Sequence, residues 1–481
     1  MKRKIGVLLH ISSLWGEYSC GAFGEEGREF VDFLKDAGFS YWQVLPFCLP
    51  NDHASPYQSF SAFSVNPNFI DLKALSDVGL LSRDELDAAK QNTPYVCEFE
   101  RLNKERFALL GKAAERFRGG KDYDAFFKEH KHTENFCHFM ARRAANGDKR
   151  FVEWDVDDED EATLKTWKFI CYTFVCQWKS LKAYANKNGI SIIGDIPIYV
   201  APDSADIWET PSEFLLDERL RPTRVAGVPP DYFSKDGQLW GNPLYNWKKM
   251  KENGFSWWRD RMAFMCEFFD CIRIDHFRGI ESFYSCAPTA ANAREGKWTK
   301  GPGMALVDAL RSVCGDKELI AEDLGDITPA VRALVEKSGL PGMRVMQFGF
   351  SDDPDNTHLP CNYDKNCIAY TGTHDNDTLL GFIWNLDPDA RRRVLSYCGF
   401  DGDNWDSRES YYSVIRTMLE CSAKTVIFPL QDLLLFGSDT RLNVPGVEKG
   451  NWKWRVTHEQ FMSLDRKQLR YLNGLYSRLP E

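Results

Sequence analysis

The chain has 481 residues, a net charge of −10, and 43% hydrophobic and 27% charged residues. Such proportions exclude a disordered chain, and the negative charge argues against nucleic acid or an anionic membrane surface, which both select basic patches. The 14 cysteines form no CxxC pair and no Cys/His zinc spacing, so neither a disulfide framework nor a bound metal is expected, only reduced core thiols.

At the amino terminus, basic residues precede an apolar run over 5–9 that is too short for a signal peptide and reads as a first strand. No stretch of about 20 apolar residues exists to span a bilayer. The expected location is the cytoplasm, as a monomer or small homo-oligomer. Further runs of the same kind lie at 41–45, 191–196, 271–275, 318–322, 343–348, 367–373 and 424–430. Helix-periodic segments ending in Gly or Asn precede most of them. One covers 25–37, with Phe30, Phe33 and Leu34 on one face before Gly38; others cover 164–188, 256–269 with Ser256 as cap, and 328–338.

Eight strands with helical crossovers predict an α/β fold, a (β/α)8 TIM-type barrel with its active site at the carboxyl ends of the strands. The whole chain, 1–481, reads as a single catalytic barrel. A mostly helical insertion occupies 66–170 between the second and third strands, and a loop-rich insertion at 200–258 would cover the cleft. His130, His132 and His138 fall in a charged helical stretch and read as solvent-facing.

The runs end in polar residues where a barrel enzyme would place its chemistry: Gly194-Asp195-Ile196-Pro197, Arg273-Ile274-Asp275-His276, Ala321-Glu322-Asp323 and Gly372-Thr373-His374-Asp375-Asn376. Each carboxylate alone could be a salt bridge or helix cap. Four at one end of one barrel point to catalysis. Arg273 and Asp275 are two apart on a strand and share a side, so the guanidinium can hold Asp275 ionised, as a nucleophile requires. Glu322 and Asp323 face opposite ways; Glu322, aligned with Ile320, is the choice for general acid and then base. Asp375 suits orienting sugar hydroxyls and stabilising positive charge. Glycosyl transfer needs this equipment, because its transition state is oxocarbenium-like and its leaving oxygen needs a proton. The 14% aromatic content, including 15 Trp, fits either a bulky core or flat surfaces for sugar rings.

Further segments make the pattern specific: Ser55-Pro56-Tyr57-Gln58-Ser59-Phe60-Ser61-Ala62, Gly194 to Val200, Gly227-Val228-Pro229-Pro230-Asp231-Tyr232-Phe233 and Gly237-Gln238-Leu239-Trp240-Gly241-Asn242-Pro243. With them the chain resembles, over nearly its whole length, the amylomaltase or disproportionating-enzyme family, the 4-α-glucanotransferases related to α-amylases. The resemblance implies Asp275 as nucleophile, Glu322 as acid/base and Asp375 as transition-state stabiliser. Arg273, His374 and Asp195 would line the donor-sugar site, Tyr57, Gln238 and Trp240 would contact the glucan, and the loop at 229–233 would cover the cleft. It implies no cofactor, malto-oligosaccharides and longer α-1,4-glucans as partners, and transfer of a glucan segment to the 4-OH of an acceptor through a covalent glycosyl-Asp275. The residues alone leave open an α-1,4-glucan hydrolase or a non-catalytic glucan-binding protein. One departure concerns the cleft wall after the first strand: Ser13-Leu14-Trp15-Gly16 stands where the family often has Ser-Leu-Pro-Gly.

Overall fold

Short apolar strands must bury both faces, and here they do so by winding into one parallel sheet with helices outside it. The strands are β1 (Lys4–Leu8), β2 (Tyr41–Gln43), β3 (Ser191–Ile196), β4 (Cys271–Ile274), β5 (Glu318–Ala321), β6 (Gly342–Val345), β7 (Cys367–Tyr370) and β8 (Thr425–Pro429). In this computed structural model the described residues are 3–50, 55–230, 235–447 and 449–480, so Asp231, Tyr232 and Phe233 lie outside them. The ladder runs β6-β7-β8-β1-β2-β3-β4-β5, with β1 paired to both β2 and β8. Between β5 and β6 the barrel closes without a ladder, through Ala321 N–H donating to Pro341 O at 3.0 Å and Met343 N–H donating to the Asp323 carboxylate at 2.6 Å.

The helix Glu25–Ala37 buries Phe30, Phe33 and Leu34 and stops at Gly38, whose φ of 77° is a left-handed value that glycine adopts without strain. Gly194 in β3 has a different reason to be glycine. A Cβ there would sit 2.1 Å from Phe269 Cδ2, so the strand that carries Asp195 can pack only without a side chain at this position.

Two local expectations need correction. Ser256 is the first residue of the helix Ser256–Phe268, not its cap; left-handed Phe255 takes the cap position, and the Asn253 side chain accepts the Ser256 N–H at 3.3 Å. The run at 343–348 is strand only to Val345, after which Met346–Phe348 turns as a 3-10 helix.

Between β2 and β3 the chain forms the helices Leu72–Asp77, Arg83–Ala88, Phe99–Arg116, Lys121–Glu129 and Lys131–Ala145, then Glu161–Lys187 leads into β3. The three histidines here are only partly exposed and each pairs with a carboxylate, rather than facing solvent freely as expected. His130 reaches Glu267 at 3.1 Å, His132 bridges Glu209 at 3.0 Å and Asp260 at 3.3 Å, and His138 reaches Glu159 at 2.9 Å. His132 also stacks on Phe63, with ring centroids 4.3 Å apart. Charged helix faces that pack against a neighbour carrying complementary carboxylates become interface.

Two stretches of the segment expected to be loop, Val225–Val228 and Gln238–Pro243, are antiparallel strands. They join Ser282–Cys286 and Gly296–Lys300 in a four-stranded sheet, partners that lie beyond β4 and outside the reach of local patterning. Much of the aromatic content packs inside: Phe47 touches Trp178 edge-on at 4.7 Å, and Trp42, Trp178 and Trp258 are fully buried. All 14 cysteines are free thiols, most of them buried. Among the described residues no helix is long and apolar enough to cross a membrane.

Candidate active site

A cavity of about 840 Å³ lies over the carboxyl ends of the strands, where a parallel barrel gathers the residues that follow each strand. Tyr57, Gln238, Trp240, Arg273, Asp275, Glu322, His374 and Asp375 all line it. Register explains how the central pair meets. Ile274 of β4 pairs with Ala321 of β5, and Ile274 O accepts the Glu322 N–H at 3.1 Å. Asp275 and Glu322 are therefore the next rung on adjacent strands, whose backbones run roughly 4.8 Å apart.

Arg273 lies under this rung. Its Nη1 donates to both Asp195 oxygens at 2.7 and 2.6 Å, and its Nη2 is 3.0 Å from Asp275 Oδ1. Asp195 does not reach the cavity surface, contrary to the expectation that it lines the donor-sugar site. Its side chain has 0% exposure, because Arg273 and the Tyr57 hydroxyl, which donates to Oδ2 at 2.7 Å, cover it. Asp195 positions the residues that do reach the cavity. Burial disfavours the charged guanidinium, but Asp195 and then Asp275 outweigh it and push the Arg273 pKa up.

Burial is also the main influence on the two carboxyls. It raises Asp275 well above the usual carboxylate range, with Arg273 opposing and Asp195, Glu322 and Asp375 adding to the rise. It raises Glu322 as well, against Arg273 and two backbone amides. Those amides come from Leu324, donating to Oε1 at 2.7 Å, and His276, donating to Oε2 at 2.7 Å. His276 does this from a left-handed backbone with φ of 49°, a conformation costing roughly 1–3 kcal/mol outside glycine. Asp323 turns the other way, to the Met343 amide and to Arg344 at 3.1 Å, as strand alternation requires.

Tyr57 also stacks on His374, with centroids 5.2 Å apart and 15° between planes. Burial lowers the His374 pKa, against the opposing charge of Asp375, and so favours the neutral ring. Asp375 Oδ2 lies 3.4 Å from His374 Nε2, and its Oδ1 accepts from Asn443 Nδ2 at 2.6 Å. Asn443 N–H also donates to His374 O at 3.1 Å, and Trp452 lies 5.8 Å from the His374 ring. Asn443 and Trp452 were not singled out in the sequence; the available signal was their place in a non-periodic loop after the eighth strand. Trp240 donates to Gln238 Oε1 at 3.2 Å and meets His276 edge-on at 4.9 Å. Trp15, the departure after β1, lies outside the cavity wall: it stacks on Phe461 at 4.1 Å. Among the described residues no group of three His, Cys, Asp or Glu side chains is arranged to hold a metal ion.

Carboxyls grouped around one guanidinium, at the mouth of a parallel barrel, define the class of barrel enzymes that work on glycosidic bonds with paired carboxyl groups. Comparison with known proteins narrows the class. A sequence profile described as 4-alpha-glucanotransferase matches residues 9–460. A 4-alpha-glucanotransferase of Clostridium butyricum is 40% identical over 493 aligned residues, covering 98% of this chain and 100% of that protein. One from Thermus thermophilus is 40% identical, with 95% of each chain covered. The solved amylomaltase from Streptococcus agalactiae, in complex with acarbose, superposes with a TM-score of 0.94 at 37% identity and 100% coverage of both chains. The chain belongs to the 4-α-glucanotransferase family and is an enzyme of that type.

Proposed function

We propose that the cavity transfers α-1,4-glucan segments by a retaining double displacement. Asp275 attacks the anomeric carbon while Glu322 gives its proton to the departing glycosidic oxygen, leaving a glycosyl ester on Asp275. The 4-OH of an acceptor glucan or glucose then takes the vacated place, Glu322 removes its proton, and the acceptor oxygen displaces Asp275 with overall retention. The observation that carries this reading is the shared rung of Asp275 and Glu322: strand spacing of roughly 4.8 Å suits the carboxyl separation of about 5–5.5 Å in a retaining pair.

The division of roles follows from charge. One guanidinium serves several buried carboxyls, so the group keeps a proton to higher pH than isolated acids would. Arg273 touches Asp275 directly, and this contact opposes the rise that burial gives the Asp275 pKa and so supports its ionised form as nucleophile. Asp375, oriented by Asn443, faces the sugar ring and offsets its developing positive charge, and His374 beside it donates to a sugar hydroxyl. Tyr57 and Trp240 offer aromatic faces to the apolar faces of glucose residues, and Gln238 offers an amide to their hydroxyls.

We read residues 1–481 as one catalytic barrel, with 66–170 as a mostly helical insertion and 200–258 as a cover that favours a sugar acceptor over water. The free thiols support a reducing compartment such as the cytoplasm, where the enzyme acts as a monomer or small homo-oligomer. Incubation with maltotriose tests the function. Glucose plus a ladder of longer oligosaccharides is expected, and Asp275→Ala should abolish it with the fold retained. Shortened products alone would instead mark a hydrolase, and activity in the variant would remove Asp275 from its role.

A further inference from the structure

The four-stranded sheet forms one wall of the cavity, with Gln238 and Trp240 on one edge strand and Trp298 on the other. Trp298 sits on the strand Gly296–Lys300, every residue of which is exposed, and is itself 37% exposed. An indole on an exposed edge strand loses the burial that normally justifies so large an apolar group, so its place needs another reason. Its surroundings hold it rigid. The Arg278 guanidinium lies 3.7 Å from the ring centroid, and Tyr284, its cross-strand partner, meets it at 5.1 Å and 60°. Arg278 is fixed in turn by Asp326, with its Nη1 donating to the Asp326 carbonyl and standing 3.5 Å from the carboxylate. Among the described residues the Trp298 indole N–H has no hydrogen-bond partner.

We infer that Trp298 is a sugar-stacking platform at the mouth of the cleft for acceptor glucan residues beyond the one that reacts. This rests on the proposed transfer reaction. Asp326, which anchors the platform through Arg278, follows Glu322 closely in the chain, and Leu324 between them lines the same cavity. The acid/base group stands on the side of the leaving oxygen, and the acceptor later occupies that side. A glucan chain running outward past Glu322 meets Trp298, which stacks on the apolar face of a glucose residue and donates its free N–H to a hydroxyl. Because Arg278 and Tyr284 already immobilise the ring, stacking demands little further ordering.

The test is acceptor length. With a fixed short donor, kcat/KM for maltoheptaose and for glucose as acceptors is measured in the wild type, Trp298→Ala and Trp298→Tyr. Trp298→Ala should lower the maltoheptaose-to-glucose ratio roughly 3- to 10-fold, the worth of one aromatic contact, and Trp298→Tyr should restore most of it. A ratio equal to that of the wild type, including a parallel fall of both values from a damaged fold, overturns the inference. So does a change confined to donor length. Failure of the transfer reading is seen separately, in the wild type, as shortened products without a ladder; the same length ratio is then read on hydrolysis rates.

Discussion

Replacing Arg273 by Met removes the one cation among the described residues in contact with Asp275 while nearly preserving side-chain volume. The guanidinium nitrogen is 3.0 Å from the carboxylate oxygen, which places the charge centres about 4 Å apart. At that separation, and an effective dielectric constant near 20, the attraction is about 4 kcal/mol. Losing it destabilises the ionised carboxyl by the equivalent of roughly three pH units. An acid whose pKa rises is ionised only at higher pH, so the acid limb of the kcat/KM profile for maltotriose should move upward by about that much. Asp195 would also lose its cation and, among the described residues, keep only the Tyr57 hydroxyl as a side-chain partner, so stability should fall by about 3–5 kcal/mol. Arg273→Lys keeps the charge but not the two-pronged geometry and should shift the limb far less. An acid limb that stays in place in a folded Arg273→Met protein would refute the electrostatic account of Asp275.

Gly194→Ala should destabilise the barrel by at least about 1–3 kcal/mol, since the new methyl would sit 2.1 Å from Phe269; an unchanged thermal midpoint would show that the ring moves freely. The pair between His130 and Glu267 sets a pH window. Burial opposes the charge on His130, but Glu267 outweighs it and raises the pKa, while His130 and Lys179 overcome burial of Glu267 and lower it to about 2. The histidine's contribution is complete below its unfolded pKa of about 6.5 and is lost as pH rises through the raised value. The glutamate's is present above about 4.3 and is lost as pH falls toward 2. His130→Phe should therefore cost more stability at about pH 5.5 than at about pH 9, measured by denaturant midpoints; an equal loss at both would assign His130 a packing role only.

The barrel was legible because its strands are short apolar runs set off by helices with Gly or Asn stops, signals that act within a few residues. The strand ends were legible for the same reason, since a carboxylate at the close of an apolar run has few other places to be. Alternation separated Glu322 from Asp323. What was not legible depends on contacts distant in sequence. Asp195 was known to sit at a strand end, but its depth is set by Arg273 and Tyr57, from β4 and the loop after β2. The strands Val225–Val228 and Gln238–Pro243 acquire their sheet from Ser282–Cys286. His130, His132 and His138 are paired with Glu267, Glu209, Asp260 and Glu159, on other parts of the chain, and are left only partly exposed. Asn443 belongs to the site through hydrogen bonds to Asp375 and to the His374 carbonyl, which no local pattern announces.

In the proposed transfer Asp275 carries the glycosyl group between donor and acceptor. Glu322→Gln keeps the nucleophile but leaves no base to activate an acceptor, and an α-glycosyl fluoride donor needs no protonated leaving group, so the intermediate should accumulate. Peptide mass spectrometry of the quenched mixture measures it directly. The account predicts that the peptide containing Asp275 is heavier by the mass of the transferred glycosyl group; an unmodified Asp275 peptide after donor consumption, or an adduct on another carboxylate, would contradict it.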